Sequence, residues 1–190
     1  MMEFSKVLNA QRIYSNKINY IWDYYPSKRY TQDKISKDLI VLKNLNKMGK
    51  FGSETKRKID IFAGSFSKYF IKKLDLYAKN YVFCLVPPHI DSTDNKNGVY
   101  ILSRYIRMIR NYFNRSVIIR VHSIQPLHRG GNRSIDVQLA SLKINSNVSG
   151  KRIVVMDDIT TTGNSLEACK ILLRQAGAKE VILFAFAKTK

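Results

Sequence analysis

The sequence is short of acidic side chains and long apolar runs, and each shortage narrows the possibilities. Its 190 residues include 14 Asp and Glu against 33 Lys and Arg, so the formal net charge is +19. None of its apolar runs approaches the length of a membrane span. The first residues, MMEFSKVLNAQ, lack the apolar centre of a secretory signal. We therefore expect a cytoplasmic protein without membrane contact.

Cysteine is also scarce. The two cysteines, Cys84 and Cys169, lie far apart in apolar segments, and the sequence has no CxxC pair. Isolated cysteines of this kind are typically small buried side chains in a reducing compartment. We expect neither a disulfide nor a structural zinc site. A chain of this length can bury the core of one domain without such cross-links.

The excess of positive charge has two explanations. A field of this sign attracts polyanions and would make contact with nucleic acid dependent on salt. Lys, Asn, Ile and Tyr are all abundant, however, which is also typical of proteins from AT-rich genomes. Both explanations stay open: a nucleic-acid or acidic-protein partner, and codon bias.

The most informative stretch is residues 151–172, whose pattern predicts a strand, a tight turn and a helix. Residues 153–156 form an apolar run typical of a buried parallel strand, and Asp157 and Asp158 are expected to end it. Residues 159–162 then form the turn, and Gly163 relieves crowding there. An amphipathic helix follows from Ser165.

This turn carries the side chains of an anion site. Thr160, Thr161 and Thr162 offer hydroxyl groups beside the loop amides, at the positive end of a helix, which suits a phosphate. Asp157 and Asp158 suit neutral hydroxyls or a hydrated Mg²⁺ instead. A sugar phosphate with a vicinal diol satisfies both halves. The alternative is an ordinary turn with an acidic cap.

Residues 154–165 read VVMDDITTTGNS, which resembles the 5-phosphoribosyl-1-pyrophosphate (PRPP) motif of type I phosphoribosyltransferases. The resemblance implies an α/β fold, a three-layer parallel sheet with a small hood and here an N-terminal helical extension. It also implies PRPP, bound with Mg²⁺, as the ligand. The residues implied in PRPP binding are Asp157, Asp158, Thr160, Thr161, Thr162, Gly163, Asn164 and Ser165, of which Asp157 and Asp158 are also implied in catalysis and possible contact with Mg²⁺.

A second ligand-binding segment is expected after the apolar run at residues 81–86. Pro87, Pro88 and His89 end this predicted strand, and a polar loop follows to residue 98. Open α/β folds bind ligands at this edge of the sheet. The resemblance implies a pyrophosphate loop here, with Pro87, Pro88, His89 and Lys96. A plain surface loop is the alternative, and His89 suits a loop hydrogen bond better than a metal.

Residues 122–150 form the least regular segment, and the resemblance implies that they make the hood over the acceptor. Arg129 and Arg133 flank a diglycine, which suits a mobile anion clamp, although a basic loop without a ligand is the alternative. We expect an N-terminal extension at residues 1–50 and a phosphoribosyltransferase-like domain at 51–190, with the hood at about 122–150.

The remaining elements follow from periodicity. We predict a strand or exposed edge at 18–25, helices at 31–46, 53–79 and 99–113, and strands at 116–121 and 181–187. The strand at 116–121 is expected in the parallel sheet. Thr31 or Asp33 is the expected cap of the first helix.

Within the superfamily, residues 80–190 look most like the ComF-type, competence-associated members. The Arg- and Asn-rich hood and the terminal AGA-x-x-V strand carry this likeness, but the cysteine-rich zinc module of many such proteins is missing. Thr161 stands where 6-oxopurine salvage enzymes carry an acid, and a hydroxyl cannot accept a proton as that acid does. Hypoxanthine–guanine salvage is therefore not expected.

Three functions stay open. The first is transfer of a phosphoribosyl group from PRPP to an unidentified nitrogen acceptor, with release of pyrophosphate. The second is a PRPP sensor whose basic surface binds nucleic acid. The third is a non-catalytic accessory protein in DNA uptake, processing or defence. A homodimer is a further expectation, since proteins of this fold often dimerise.

Overall fold

The computed structural model describes residues 17–26, 33–45, 48, 50–73, 80–90, 97–106, 109–125 and 134–190. Its main sheet contains β1 (Ile18–Tyr24), β2 (Tyr81–Leu85), β5 (Arg152–Thr160) and β6 (Glu180–Thr189), and a small second sheet contains β3 (Ile118–Arg120) and β4 (Leu142–Ile144). The helices are α1 (Lys34–Lys43), α2 (Ser53–Lys73), α3 (Gly98–Ser103), α4 (Ile135–Ser141) and α5 (Asn164–Gln175), with a 3₁₀ turn at Arg110–Tyr112.

The main sheet has the strand order β1-β6-β5-β2, and all its neighbouring strands are parallel. Residues 153–156 of β5 and 182–187 of β6 are almost completely buried, as expected for central strands covered on both faces. The expected α/β class with a parallel sheet is therefore confirmed.

Each face of the sheet has its own core, and alternate residues of one strand point into opposite cores. On one face, Phe66 of α2 packs edge to face on Phe184, with ring centroids 5.1 Å apart. On the other face, Cys169 and Leu173 of α5 pack with Leu183. Helices on both faces of one sheet give the molecule three layers.

The strand expected at 18–25 is present as β1, which pairs with β6 from Ile18 opposite Leu183 to Tyr24 opposite Thr189. Helix α1 begins after Asp33, whose Oδ1 accepts a hydrogen bond of 2.6 Å from the Ser36 amide, so Asp33 is the cap. Residues from the first fifty thus contribute to the same sheet and core as the rest of the described chain. A domain boundary at residue 50 stays a prediction.

The strand expected at 116–121 in the parallel sheet was wrongly placed. β3 is antiparallel to β4, with Ile118 opposite Ile144, and it lies outside the main sheet. The edge of β2 meets Phe113 instead, through a single parallel bridge at Phe83. β4 starts directly after α4, and its chain direction is opposite to that of β3.

The helix expected at 99–113 was too long. α3 ends at Ser103 and a separate 3₁₀ turn covers residues 110–112. Phe113 then has an extended backbone, with ψ near 121°, because it bridges to Phe83 rather than continuing a helix. The helix expected at 53–79 is present as α2 to Lys73, and residues 74–79 lie outside the described part.

The turn of the motif is shorter than expected. β5 continues through Asp157 and Asp158 to Thr160, which lies opposite Lys188 of β6. Residues 161–163 make the turn before α5. The expectation that the aspartates end the strand was therefore wrong, because β6 is long enough to pair with β5 beyond them.

The two cysteines are buried, as expected. Cys84 and Cys169 are buried and free, and burial raises the pKa of the Cys169 thiol to about 12. Within the ranges given above, no helix is both long and apolar enough to cross a membrane.

Candidate functional site

A cavity of about 260 Å³ opens at the carboxyl edge of the main sheet, where β2 and β5 end. Asp157, Asp158 and Ser165 line it from the strand–turn–helix segment. The remaining walls include Pro87, Pro88 and His89 after β2, Arg120 at the end of β3, Gln138 of α4, and Lys43 and Asn44 at the end of α1. Five segments distant in sequence thus converge where parallel α/β sheets bind ligands.

The two aspartates are held by the backbone beside them. The Asp158 amide donates a hydrogen bond of 2.9 Å to Asp157 Oδ1, and the Ile159 amide donates one of 2.6 Å to Asp158 Oδ1. Both side chains belong to half-buried residues. One oxygen of each carboxylate is therefore fixed, and the second oxygen stays available to a hydroxyl or a cation in the cavity.

The electrostatics of this pair favour a ligand with positive charge or hydroxyl donors. Burial and, next in size, the Asp158 carboxylate raise the pKa of Asp157 to about 8, although the Asp158 amide and Lys43 act in the opposite direction. A carboxyl group whose pKa is raised in this way binds a proton near neutral pH until a partner stabilises its negative charge.

Gly163 allows the chain to turn from β5 into α5. Its φ of 86° lies in the left-handed region, and a Cβ there would come within 2.1 Å of Ile18 Cδ1. The backbone conformation therefore favours glycine here, whereas Ile18 Cδ1 is the flexible end of a side chain and could shift. Gly163 offers no side-chain cap to α5.

The remaining motif side chains are placed around the turn. Thr160 is buried, and Thr161 Oγ1 lies 3.0 Å from Thr189 Oγ1 at the surface. The Asn164 amide donates a hydrogen bond of 3.5 Å to Thr162 Oγ1. Thr162 lines a different cavity of about 700 Å³ beside β1. Of the motif residues expected to bind PRPP, the cavity at the sheet edge thus directly gathers Asp157, Asp158 and Ser165.

The expected pyrophosphate loop reaches the same cavity. Pro87, Pro88 and His89 line it, and the loop is tied down by the Ile124 amide, which donates a hydrogen bond of 2.8 Å to the His89 carbonyl. Lys96, Arg129 and Arg133 lie outside the described residues, and their roles stay predictions.

Sequence reasoning missed Arg120 and Gln138. Arg120 is 3% exposed and donates hydrogen bonds to the carbonyls of Pro87 and Pro88 and to Ser141 Oγ. Its Nη2 also donates to Gln138 Oε1 over 3.0 Å. An arginine inside the apolar run SVIIRV was a usable signal, because a buried charge needs dedicated partners. Gln138 gave no such signal.

The described residues hold no cluster of three or more His, Cys, Asp and Glu side chains that could bind a metal by themselves. Two adjacent carboxylates nevertheless fit Mg²⁺, which is typically held by one or two carboxylates together with substrate phosphates and water. The arrangement can therefore accept a cation that a phosphorylated ligand brings with it.

Comparison with known proteins identifies the family of this chain. The family model of the phosphoribosyl transferase domain matches residues 95–190, half of the chain. No curated protein sequence matches significantly.

Among solved structures, purine phosphoribosyltransferase from Pyrococcus horikoshii Ot3 is similar at 16% identity and a TM-score of 0.43, over 68% of this chain and 73% of that one. Phosphoribosylpyrophosphate synthetase from Mycobacterium smegmatis is similar at 18% identity and a TM-score of 0.38, over 68% of this chain. The chain spans only 33% of the length of that synthetase.

Proposed function

Because the chain belongs to the phosphoribosyl transferase domain family, we propose that it binds PRPP at the carboxyl edge of the sheet. The reaction is transfer of the phosphoribosyl group to a nitrogen acceptor, with release of pyrophosphate. One observation carries the proposal: Asp157, Asp158 and Ser165 line the same cavity as Pro87 and His89. Carboxylates for the ribose and a separate segment for the diphosphate thus share one opening.

Binding energy from the two ends of the ligand would place the reacting carbon. Asp157 and Asp158 accept hydrogen bonds from the ribose hydroxyls through their second oxygens. The 5-phosphate lies on residues 160–165, at the start of α5, where the positive end of the helix favours an anion. These contacts fix the anomeric carbon relative to the acceptor.

Displacement at that carbon breaks the bond to the diphosphate and forms a bond to the acceptor nitrogen. Positive charge grows on the ribose ring as the diphosphate leaves, and the nearby carboxylates stabilise it. In PRPP-bound protein, Asp157 is expected to be ionised, because hydroxyl donors and a cation offset the burial that raises its pKa.

Mg²⁺ is the proposed cofactor. Asp157 and Asp158 would hold it together with PRPP oxygens, directly or through water, since each carboxylate has one oxygen left over from its backbone bond. Bound there, the ion neutralises charge on the departing diphosphate.

The finer assignments also remain proposals. The ComF-type subgroup is supported by the Arg- and Asn-rich segment before α4 and by the terminal strand, which is present as β6. Lys96 on the pyrophosphate loop and Arg129 and Arg133 on the hood are proposed to contact the diphosphate or the acceptor. A homodimer in the cytoplasm completes the proposal.

A second function, binding of nucleic acid beside or instead of transfer, is favoured by a groove at the opposite edge of the sheet. This groove of about 670 Å³ is lined by Lys151, Arg152 and Lys179, by Tyr112 and by four asparagines, and no acidic residue is among the described residues that line it. Basic and aromatic side chains in one groove suit a single-stranded nucleic acid. The net charge of +19 points the same way.

Turnover separates the two functions. Pyrophosphate release from PRPP and Mg²⁺ is measured against a panel of nitrogen bases and nucleic acids. The proposal expects release that depends on one acceptor and falls about 100-fold or more in Asp158→Asn, because a charge that stabilises the transition state is lost. Asp60→Asn, a change at an exposed aspartate of α2, is the matched control.

Release that is unchanged in Asp158→Asn would refute the site. If no acceptor supports release and single-stranded nucleic acid binds with strong salt dependence, the second function is favoured.

A further inference from the structure

A buried side-chain donor on the wall opposite the aspartates has no partner within the protein. Gln138 is 1% exposed, and its Nε2 forms no hydrogen bond with any described part of the chain. Buried polar groups are nearly always paired, so an exception requires a physical reason. Gln138 lines the cavity that also holds Asp157 and Asp158, and an acceptor on a bound ligand supplies that reason.

The orientation of the Gln138 amide is set by Arg120. Arg120 Nη2 donates to Gln138 Oε1 over 3.0 Å. A guanidinium group has donors only, so the reversed amide would set its NH₂ against another donor. The oxygen therefore faces Arg120, and the NH₂ group faces away from it.

Arg120 is itself held rigidly. It donates to the carbonyls of Pro87 and Pro88 and to the hydroxyl of Ser141, which in turn donates to the Gln138 carbonyl over 2.8 Å. These bonds link the loop after β2 to α4. The donor of Gln138 is thus oriented before any ligand arrives, which reduces the cost of binding.

The charge of this wall indicates which acceptor fits. Arg120 places a positive charge directly behind the Gln138 amide, and Lys43 lies on the same cavity. An anionic oxygen interacts with both the donor and these charges, whereas a neutral carbonyl oxygen gains much less from the charges. The Pro87–His89 loop, the segment expected to hold pyrophosphate, is bonded to the same arginine.

We propose that Gln138 Nε2 donates a hydrogen bond to an oxygen of the diphosphate group of PRPP, and that Arg120 is the positioning residue that orients it. The part that concerns PRPP rests on the proposed function. Pyrophosphate alone carries the same chemistry, so its binding can be measured without any transfer reaction.

The test is calorimetry with Mg²⁺ and three ligands, pyrophosphate, PRPP and ribose 5-phosphate. Gln138→Glu keeps an oxygen for Arg120 but replaces the NH₂ donor with a negatively charged carboxylate oxygen, whereas Gln138→Met removes both polar groups without adding charge. Gln175→Glu makes the same chemical change at an exposed position at the end of α5 and is the matched control. Thermal melting verifies that each variant is folded.

We expect Gln138→Met to weaken pyrophosphate and PRPP binding about 10-fold to 100-fold, the range for a lost hydrogen bond to a charged group. Gln138→Glu should weaken both at least as much, because its carboxylate also repels the diphosphate. In Gln138→Met, ribose 5-phosphate affinity should stay within about twofold of the wild-type value. Gln175→Glu should change none of the three affinities.

Arg120→Lys tests the positioning role. The lysine keeps the charge but not the planar array of donors. It should weaken pyrophosphate binding when Gln138 is present. In protein that already carries Gln138→Glu, it should cause little further loss of affinity. If the affinity losses of Arg120→Lys and Gln138→Glu simply add in the double variant, Arg120 does not act by positioning Gln138.

Unchanged pyrophosphate affinity in folded Gln138→Glu and Gln138→Met overturns the proposal. Wild-type protein that binds neither pyrophosphate nor PRPP overturns it too. If pyrophosphate binds through Gln138 but no transfer occurs, this inference stands and the transfer function fails. Should both variants unfold, the wild-type Gln138 NH₂ resonances decide: they should shift with pyrophosphate and not with ribose 5-phosphate.

Discussion

The two walls of the cavity are built in different ways. The wall of Asp157 and Asp158 comes from one strand–turn–helix segment, and its fixing hydrogen bonds join neighbouring residues. The wall of Arg120 and Gln138 comes from separate segments, and its bond from Arg120 to Pro88 spans 32 positions. The first wall should therefore tolerate distant changes, whereas the second depends on how β2, β3 and α4 pack together.

Removing Arg120, the centre of the wall that it forms with Gln138, should have the largest effect on stability. Arg120→Met leaves the Pro87 and Pro88 carbonyls, Gln138 Oε1 and Ser141 Oγ without their donor. We expect a loss of about 3–5 kcal/mol in the free energy of unfolding, because several buried acceptors lose a partner at once. Urea unfolding measures the change.

Arg104→Met, at an exposed arginine after α3, is the control for this change and should stay within about 0.5 kcal/mol of the wild type. If Arg120→Met costs as little as the control, the second wall does not depend on Arg120.

The same difference between the walls explains what could be predicted from sequence. The motif from Asp157 to Ser165 is contiguous, so its residue types and order were enough to predict the strand, the helix and the site. The pairing of β3 could not be predicted, because it depends on where α4 returns the chain. The unpaired Nε2 of Gln138 likewise exists only once Arg120 occupies its oxygen.

Some predictions about secondary structure were also wrong, within the motif and elsewhere. Asp157 and Asp158 were expected to end β5, since charged residues normally leave a buried strand. β6 nevertheless pairs with β5 as far as Lys188. The predicted helix at 99–113 also ended too late, because Phe113 is extended and bridges to Phe83, a contact that periodicity along one segment does not show.

The next largest effect is expected in the strand–turn–helix segment that forms the wall of Asp157 and Asp158. Gly163→Ala places a side chain at a φ of 86° and brings its Cβ within 2.1 Å of Ile18 Cδ1. The backbone term is about 1–2 kcal/mol, and displacing the flexible end of the half-buried Ile18 adds less than about 1 kcal/mol. We expect a loss of about 2 kcal/mol in unfolding free energy, measured by urea titration, together with weaker PRPP binding.

Gly64→Ala provides the comparison, because Gly64 lies in the exposed face of α2 with open space around its Cβ position. It should be neutral or stabilising by about 0.5–1 kcal/mol. Equal effects of the two substitutions would contradict the requirement for glycine at the turn.

The smallest expected effect depends on pH. Burial raises the pKa of Asp157 to about 8, so the folded protein holds this proton more tightly than the unfolded chain, whose aspartate titrates near pH 3.9. The contribution of this group to the free energy of unfolding is fully present below about pH 4 and is lost as pH rises through 8. Asp157→Asn should therefore stabilise ligand-free protein by about 1–2 kcal/mol at pH 8.5 and by less at pH 5.

Unfolding free energies at pH 5, 7 and 8.5 measure this difference for Asp157→Asn and for the exposed control Asp60→Asn, which should show no such trend. A benefit from Asp157→Asn that grows toward acidic pH would reverse the assigned sign.

PRPP binding at the two aspartates is tested most directly by calorimetry with PRPP and Mg²⁺ on wild-type protein and on the double variant Asp157→Asn with Asp158→Asn. We expect saturable binding of one PRPP per chain, lost in the double variant while Asp60→Asn binds as the wild type does. Equal affinity in the wild type and the double variant, or no binding to folded wild-type protein, would contradict it.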